Sequence, residues 1–339
     1  MKTPDDAPRT ALVTGGAGFI GSHLADALAA RGDRVIVIDD LSTGSRDNLS
    51  GLIGRPGFEF VRDSVCSEWL VTDLIGRSDV VFHLAAAVGV QLIADDPIRT
   101  IEANLHGTEA VLRAARRYGR KVLIASTSEV YGKSTQVPFS EDDDMMLGST
   151  RYPRWSYACT KILDEYLGLA YLEQFGLPVV VCRFFNTIGP RQTGAYGMVA
   201  PRFVDWALRD ESIQVYGTGE QGRCFCHVAD VVEMLLALAD CDEAVGEVVN
   251  LGNDSPVTIN ELADLVIELT GSASEKVHVG YEEAYGRPMD DLMVRVPDLR
   301  KVRRLTGIRS TRPLDDTLRD IIADRRGRLG ARTTPGSAV

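Results

Sequence analysis

Tyr157 and Lys161 lie four residues apart, a spacing that places both side chains on one face of a helix. A lysine ammonium beside a tyrosine hydroxyl favours ionisation of the phenol. A phenolate formed in this way accepts a proton from a substrate hydroxyl group. Tyrosine–lysine pairs at this spacing also occur in helices without a catalytic role, so the surrounding sequence decides the interpretation.

Hydroxyl and carboxyl side chains follow a predicted strand at Lys121–Ala125. Ligands of parallel α/β sheets bind at the carboxyl ends of the strands, which is where this polar segment falls. Together with the helix that carries Tyr157 and Lys161, the segment indicates an acid–base active site. The predicted catalytic residues are Thr127, Ser128, Glu129, Tyr157 and Lys161.

The sequence TGGAGFIG at Thr14–Gly21 follows a β-branched strand and opens a helix. Gly15 permits a tight turn, Gly18 allows the backbone to approach a pyrophosphate, and Gly21 allows the helix to pack on a strand. The start of the helix then offers free N–H groups to the phosphates. The loop therefore predicts a dinucleotide site. Its predicted cofactor contacts are Gly15, Gly18, Phe19 and Ile20.

Asp39 ends the second predicted strand, at the position where a carboxylate binds the ribose hydroxyls of NAD. A carboxylate there repels a 2′-phosphate, so the pattern favours NAD over NADP. Asp40 is the competing candidate for this role, and Arg46 lies nearby. Asp63 follows the third predicted strand and is either a partner of the adenine amino group or a solvated loop carboxylate.

Short β-branched runs alternate with helical patterns through the first half of the chain, as in a parallel sheet with crossover helices. The predicted strands are Thr10–Thr14, Arg34–Ile38, Phe58–Val61, Val80–His83, Lys121–Ala125 and Val179–Arg183. The predicted helices are Gly18–Ala30, Pro97–Tyr118, Tyr157–Phe175, Val199–Arg209, Val228–Leu238 and Thr258–Leu269.

This order predicts an α/β fold, a Rossmann-type doubly wound parallel sheet followed by a smaller C-terminal α/β substrate lobe. We expect the dinucleotide-binding domain at residues 9–188, with a strand and a helix contributed by about 229–252. Residues 189–325 then form mainly the substrate lobe. Residues 326–339 are polar and rich in small residues, which predicts a disordered tail.

Composition excludes several classes of protein. The chain of 339 residues carries a net charge of −11, which argues against non-specific binding to nucleic acid or to an anionic membrane. Its six cysteines show neither a CxxC pair nor the spacing of a zinc site, and no metal site is predicted. The sequence has no apolar leader and no membrane span, so we expect a cytoplasmic protein.

Together these motifs resemble the extended short-chain dehydrogenase/reductase family of nucleotide-sugar epimerases, dehydratases and decarboxylases. The resemblance extends from residue 10 to about 320 and includes TGGAGFIG, FHLAA, Asn104, STSEVYG, YxxxK, Phe185-Asn186 and Gly189-Pro190-Arg191. It implies an NAD that is reduced and reoxidised within one turnover. It also implies a homodimer joined through the helices of Asn104 and Tyr157. The cofactor contacts that it adds are Asp63, Leu84, Ala85, Ala86, Asn104, Tyr157 and Lys161.

Within that family, Thr127-Ser128-Glu129 resembles the UDP-glucuronic acid decarboxylases, including the UDP-xylose synthases. In the 4,6-dehydratases an aspartic acid stands at the position of Ser128 and protonates the leaving hydroxyl, which serine cannot do. Oxidation at C4 of a glucuronosyl unit places a ketone β to the C6 carboxylate, and carbon dioxide can then leave. The resemblance therefore implies NAD-dependent conversion of UDP-glucuronate to UDP-xylose or a UDP-4-keto-pentose.

The resemblance also implies roles for residues of the C-terminal half. Arg223 matches an arginine that holds the nucleotide diphosphate, with Arg287 as the alternative, and Arg295 matches an arginine near the sugar carboxylate. Asn186 matches a contact to the diphosphate or the sugar. The predicted substrate-binding residues are Asn186, Val199, Tyr216, Arg223, Arg287 and Arg295. The segment Tyr285–Asp290 departs from the decarboxylase pattern.

Two other functions remain open on the sequence. A nucleotide-sugar 4-epimerase acting on UDP-glucose or UDP-glucuronate would use the same Tyr157 and Thr127. A non-catalytic, dinucleotide-sensing binding protein would keep the fold but would have no need of Tyr157 and Lys161.

Overall fold

In the computed structural model of the chain, residues 8–87, 96–152, 154–194, 198–285 and 294–333 are described. The strands are β1 (Thr10–Thr14), β2 (Arg34–Ile38), β3 (Phe58–Val61), β4 (Val80–His83), β5 (Lys121–Thr127), β6 (Val179–Phe184), β7 (Thr187–Ile188), β8 (Ile213–Tyr216), β9 (Gly222–Cys224), β10 (Cys226–His227), β11 (Val248–Leu251), β12 (Pro256–Thr258), β13 (Lys276–Val279) and β14 (Val294–Arg295). The helices are α1 (Phe19–Arg31), α2 (Glu68–Gly76), α3 (Pro97–Tyr118), α4 (Arg154–Phe175), α5 (Val199–Ala207), α6 (Val228–Asp240), α7 (Ile259–Thr270), α8 (Tyr281–Tyr285), α9 (Arg300–Thr306) and α10 (Leu314–Thr333).

The largest sheet within these residues has seven parallel strands in the order β11-β6-β5-β4-β1-β2-β3. Its inner strands are buried and apolar through most of their length because helices cover both faces. The strand order reverses between β1 and β4, which is where doubly wound sheets bind their ligands. The predicted Rossmann-type sheet is confirmed.

Two apolar cores lie on opposite faces of this sheet. On one face, Leu24 and Leu28 of α1 pack with Leu235 of α6. On the other face, Val71 of α2 packs with Leu112 of α3. The layers therefore fix α1 over the β1 side of the switch point, with its first turn at the carboxyl edge of the sheet.

The C-terminal lobe has a separate core and small sheets of its own. Phe203, Leu262 and Ile321 of α5, α7 and α10 belong to this core. Strands β12, β9 and β14 form one sheet, and β8 pairs with β13 in another. The domain boundaries at residues 188 and 325 stay predictions.

Several elements extend further than the sequence predicts. Strand β5 continues past Ala125 to Thr127 because it remains paired with β6 as far as Phe184. Helix α4 begins at Arg154, three residues earlier than predicted.

Helix α10 continues to Thr333 and so includes part of the segment predicted to be a disordered tail. An ion pair between Asp324 and Arg328, one turn apart, supports this end of the helix. Of the helices that the structure describes, none is long and apolar enough to cross a lipid bilayer.

Candidate active site

The glycine loop between β1 and α1 has no room for side chains at two of its glycines. Gly15 has a φ of +68°, and a Cβ there would lie 2.8 Å from the backbone of the segment after β4. A Cβ on Gly21 would overlap the Gly15 carbonyl oxygen, so Gly21 packs on the loop itself. Within the described part of the chain, no side chain caps α1 at Gly18. The first-turn N–H groups, including those of Phe19 and Ile20, are thus placed to bind a phosphate.

Asp39 holds this loop to the end of β2. Its carboxylate accepts hydrogen bonds from the backbone N–H of Ala17 at 2.9 Å and of Leu41 at 2.8 Å. Burial raises the pKa of Asp39, because the charged form loses solvation. Asp40 is exposed and accepts only a local bond from the N–H of Ser42 within the described residues. The geometry therefore favours Asp39 over Asp40 at the ribose position.

Asp63 contacts the start of α2. Its Oδ1 accepts bonds of 2.6 Å from the Ser67 hydroxyl and from the Ser64 N–H. The Ser67 bond is the main cause of a lowered pKa for Asp63, since it favours the charged form. The carboxylate therefore has a local role at the end of β3, and its contact with adenine stays a prediction.

The end of β4 is held by a buried histidine and an asparagine. The His83 ring bridges the hydroxyls of Thr14, at 2.8 Å, and Thr108, at 3.0 Å. The Thr14 hydroxyl also accepts a bond from the N–H of Ala85. Asn104 binds both backbone groups of Ala87. These contacts position Leu84, Ala85 and Ala86, so Asn104 acts on the predicted cofactor segment through the backbone.

Tyr157 is buried on α4, with only 8% of its surface exposed. Its pKa is raised, first because burial penalises the phenolate and then because of the negative charges of Glu129 and Asp164. The sequence predicts a lowered pKa for Tyr157, because Lys161 lies four residues away on the same face of the helix. The difference arises first because the phenol is buried, and the Lys161 ammonium is in addition paired with Asp164, at 2.9 Å. Asp164 belongs to none of the sequence motifs described above, so the sequence alone does not predict its contact with Lys161.

Thr127 and Glu129 lie at the end of β5, on the side of Tyr157. The Thr127 Oγ accepts a bond from the N–H of Glu129 at 3.2 Å, which leaves the hydroxyl proton available to a ligand. Glu129 forms an ion pair with Arg295, with Nη1 and Oε1 3.4 Å apart. Ser128 is buried beside them. The structure therefore brings the predicted strand-end residues and Arg295 into one site.

Two arginines lie side by side at this site. Strands β9 and β14 run parallel, and their register places Arg295 opposite Arg223. Both side chains are buried, and the Nε of Arg295 has no hydrogen-bond partner among the described residues. The Nδ2 of Asn186, which follows β6, is likewise buried and has no hydrogen-bond partner within the described residues. Buried donors in this arrangement fit an anionic ligand.

Tyr216 ends β8 and contacts an arginine that the sequence does not single out. The Nη1 of Arg202 donates to the Tyr216 hydroxyl at 3.3 Å, and the guanidinium lies 4.6 Å from the ring centre. Val199 begins the same helix, α5. Arg287 lies outside the described residues.

A family model described as the NAD dependent epimerase/dehydratase family matches residues 11–252. The UDP-N-acetyl-alpha-D-glucosaminuronate decarboxylase of Bacillus cytotoxicus is 43% identical over 87% of this chain and 90% of its own length. The UDP-glucuronic acid decarboxylase 1 of Xenopus tropicalis is 38% identical over 92% of this chain and 70% of its own.

Solved structures of epimerases are also similar. The UDP-glucose 4-epimerase of Thermotoga maritima with UDP-glucose is 31% identical, with a TM-score of 0.85 over 94% of this chain and 99% of that one. The UDP-glucuronic acid 4-epimerase of Bacillus cereus, in complex with UDP-glucuronic acid and NAD, is 28% identical, with a TM-score of 0.84 and the same coverage.

The chain therefore belongs to the NAD dependent epimerase/dehydratase family, as its motifs predict. Its cofactor is NAD, and the residues present fit that group. The glycine loop closes on itself, the first turn of α1 is uncapped within the described residues, and the Asp39 carboxylate lies at the end of β2.

Proposed function

We propose that the chain is an NAD-dependent decarboxylase of UDP-glucuronate and that it releases UDP-xylose or a UDP-4-keto-pentose. The observation that carries the proposal is the ion pair between the buried Arg295 and the half-buried Glu129 at the end of β5, next to Tyr157. A buried guanidinium with an unpartnered Nε offers a binding partner to a sugar carboxylate. Ser128 has no acidic proton to give, which disfavours dehydration.

The chain's own groups account for the proton transfers. Tyr157 accepts the proton of the C4 hydroxyl, and the free hydroxyl proton of Thr127 is placed to bind the same oxygen. NAD bound at the glycine loop would supply the acceptor for the hydride of C4 and the donor for its return. The resulting ketone is β to the carboxylate, so carbon dioxide leaves with the C–C electrons held in an enolate. Glu129, or a water that it orients, then supplies a proton to C5.

Mass spectrometry of the products tests this proposal directly. We expect UDP-glucuronate to yield carbon dioxide and a nucleotide sugar lighter by that mass. UDP-N-acetylglucosaminuronate belongs in the same assay, since the Bacillus cytotoxicus relative is named for it. An epimer of unchanged mass, or no conversion of either sugar, would overturn decarboxylation.

A second candidate is a 4-epimerase, which the likeness to solved epimerase structures favours. Glu129→Gln separates the two functions, because a 4-epimerase has no step at C5 that needs a carboxylic acid. In a decarboxylase we expect this change to slow turnover to the pentose product by about 10²-fold or more, because protonation at C5 loses its acid. Oxidation at C4, followed as reduction of bound NAD, should persist. Wild-type rates in the variant would favour the epimerase.

The assembly proposed for the chain is a homodimer joined through α3 and α4. Large apolar side chains project from these helices into solvent, with Ile98 69% and Tyr166 67% exposed. Ile101 and Leu163 add to the same exposed set. Apolar surface of this kind on adjacent helices is typical of a protein–protein interface. We further propose that the enzyme is cytoplasmic.

A further inference from the structure

The Lys161 ammonium is buried and has a single ion-pair partner within the described residues. Its Nζ lies 2.9 Å from the Oδ2 of Asp164, one turn further along α4, and both side chains are at most 2% exposed. The other carboxylate oxygen of Asp164, Oδ1, is buried and has no hydrogen-bond partner among the described residues. The helix thus carries a buried acid where an aliphatic residue would avoid the desolvation cost.

The charged groups near Tyr157 come from α4 and the end of β5, whereas β4 contributes a neutral histidine beside Lys161. Helix α4 supplies Lys161 and Asp164, and the end of β5 supplies Glu129. Strand β4 supplies His83, which burial and the Lys161 charge keep neutral by lowering its pKa to about 3. Two carboxylates and one ammonium therefore surround the phenol. Without Asp164, the ammonium would favour the phenolate more strongly.

We propose that Asp164 is a positioning residue that anchors the Lys161 ammonium one helical turn from Tyr157 and offsets its charge there. The inference rests on the proposed function only in taking Tyr157 as the proton acceptor. That role is shared by the decarboxylase and the epimerase. The residue acts through Lys161 and has no contact with the reacting atoms.

Asp164→Asn tests the electrostatic part of the proposal, because an amide oxygen still accepts a hydrogen bond from Lys161 but carries no charge. The measurement is a pH titration of the phenolate ultraviolet absorbance in the NAD-loaded protein, taken as the difference from the matching Tyr157→Phe protein. We expect the Tyr157 phenolate to form at a pH lower than in wild type by on the order of one unit. Formation of the phenolate at the same pH as in wild type, or at a higher pH, would overturn the proposal.

Glu173→Gln is the matched control, since it removes the same charge from an exposed position on the same helix. We expect it to leave the titration unchanged, and a shift equal to that of Asp164→Asn would show a non-local effect and contradict the proposal. No sugar is needed for the titration, so its result is independent of whether UDP-glucuronate is decarboxylated.

A double replacement keeps the test available if the single variant does not fold. Exchange of both members of a buried ion pair for apolar residues is often tolerated. The two proteins to compare are the single variant Lys161→Met and the double variant Lys161→Met, Asp164→Leu. We expect the phenol of Tyr157 to titrate at a higher pH in the single variant, because only that protein keeps the carboxylate of Asp164. Equal titrations in these two proteins would show that Asp164 has no effect on Tyr157.

Discussion

Arg295 lies between a carboxylate of the chain and the space beside Tyr157. It contacts Glu129 through Nη1, and its Nε is buried without a partner among the described residues. A planar guanidinium binds a carboxylate through two parallel hydrogen bonds, which an ammonium cannot reproduce. The substrate carboxylate and Glu129 would therefore share one cation at this position.

Replacement of Arg295 with methionine tests this sharing. We expect kcat/KM for UDP-glucuronate to fall by about 10²-fold, because a buried charged contact is lost. Binding of UDP-glucose, which lacks the carboxylate, should change far less in calorimetry. Arg300→Met is the control, since its side chain is 86% exposed and pairs with Asp298. Equal losses for both sugars would assign Arg295 to the diphosphate.

His83 makes the stability of the fold depend on pH. Its pKa is lowered from 6.5 to about 3, first by burial and then by the Lys161 charge. In the range between these values the unfolded chain binds a proton at this residue and the folded chain does not, so stability falls as the pH falls.

The size of this effect is measurable by chemical denaturation. We expect His83 to account for a loss of about 1.4 kcal/mol per pH unit between about pH 6 and pH 4. His83→Gln should reduce that slope, whereas His106→Gln, at an exposed ring, should leave it unchanged. A slope that is identical in all three proteins would contradict the assignment.

Single residues were predictable from the sequence where a motif fixes both type and spacing. The glycine loop, Asp39 and the Tyr157–Lys161 pair lie at the carboxyl edge of the confirmed sheet. Asp164 was not, because its importance comes from burial against Lys161, and burial of an acid is not visible in a helical pattern.

A buried ion pair joins α4 to the sheet. Arg183 of β6 binds both carboxylate oxygens of Glu165, at 2.7 and 3.0 Å, and its guanidinium lies 4.8 Å from the Tyr131 ring. The Ser126 hydroxyl at the end of β5 donates to the same carboxylate. The helix that carries Tyr157 is thereby held against the strand that carries Thr127.

Glu165→Gln should cost about 3–5 kcal/mol of unfolding free energy, because it leaves the Arg183 charge buried without a counter-ion. Glu59→Gln is the control, since its pair with Arg77 is exposed on both sides and should contribute at most about 1 kcal/mol. Urea denaturation measures both. Equal losses would show that the buried pair adds nothing beyond a surface contact.

The bounds of these elements were predictable only in part. All six predicted strands are present. The last residues of β5, however, depend on pairing with β6, which follows in the sequence only after α4. The two-residue strand β14 gives no periodic pattern at all, so its register with β9 could not be predicted. The adjacency of Arg223 and Arg295 depends on that register.

The exposed apolar side chains of α3 and α4 predict that the chain associates with itself. Tyr166→Asp should convert a dimer to a monomer in light scattering, because a charge there would be buried in the interface. Val277→Asp, at an exposed apolar position of β13, is the control and should leave the mass unchanged. A wild-type monomer, or a dimer that survives the Tyr166 change, would rule out this interface.

The seventh strand has a consequence for synthesis of the chain. Strand β6 ends at Phe184, but its outer neighbour β11 begins only at Val248, after part of the C-terminal lobe has been made. Until then the nascent polypeptide presents an unsatisfied row of backbone donors and acceptors along Val-Val-Val-Cys-Arg-Phe, a template for erroneous strand addition. We therefore expect that the amino-terminal half does not fold on its own, and that a fragment ending at residue 188 precipitates under conditions in which the complete chain stays in solution.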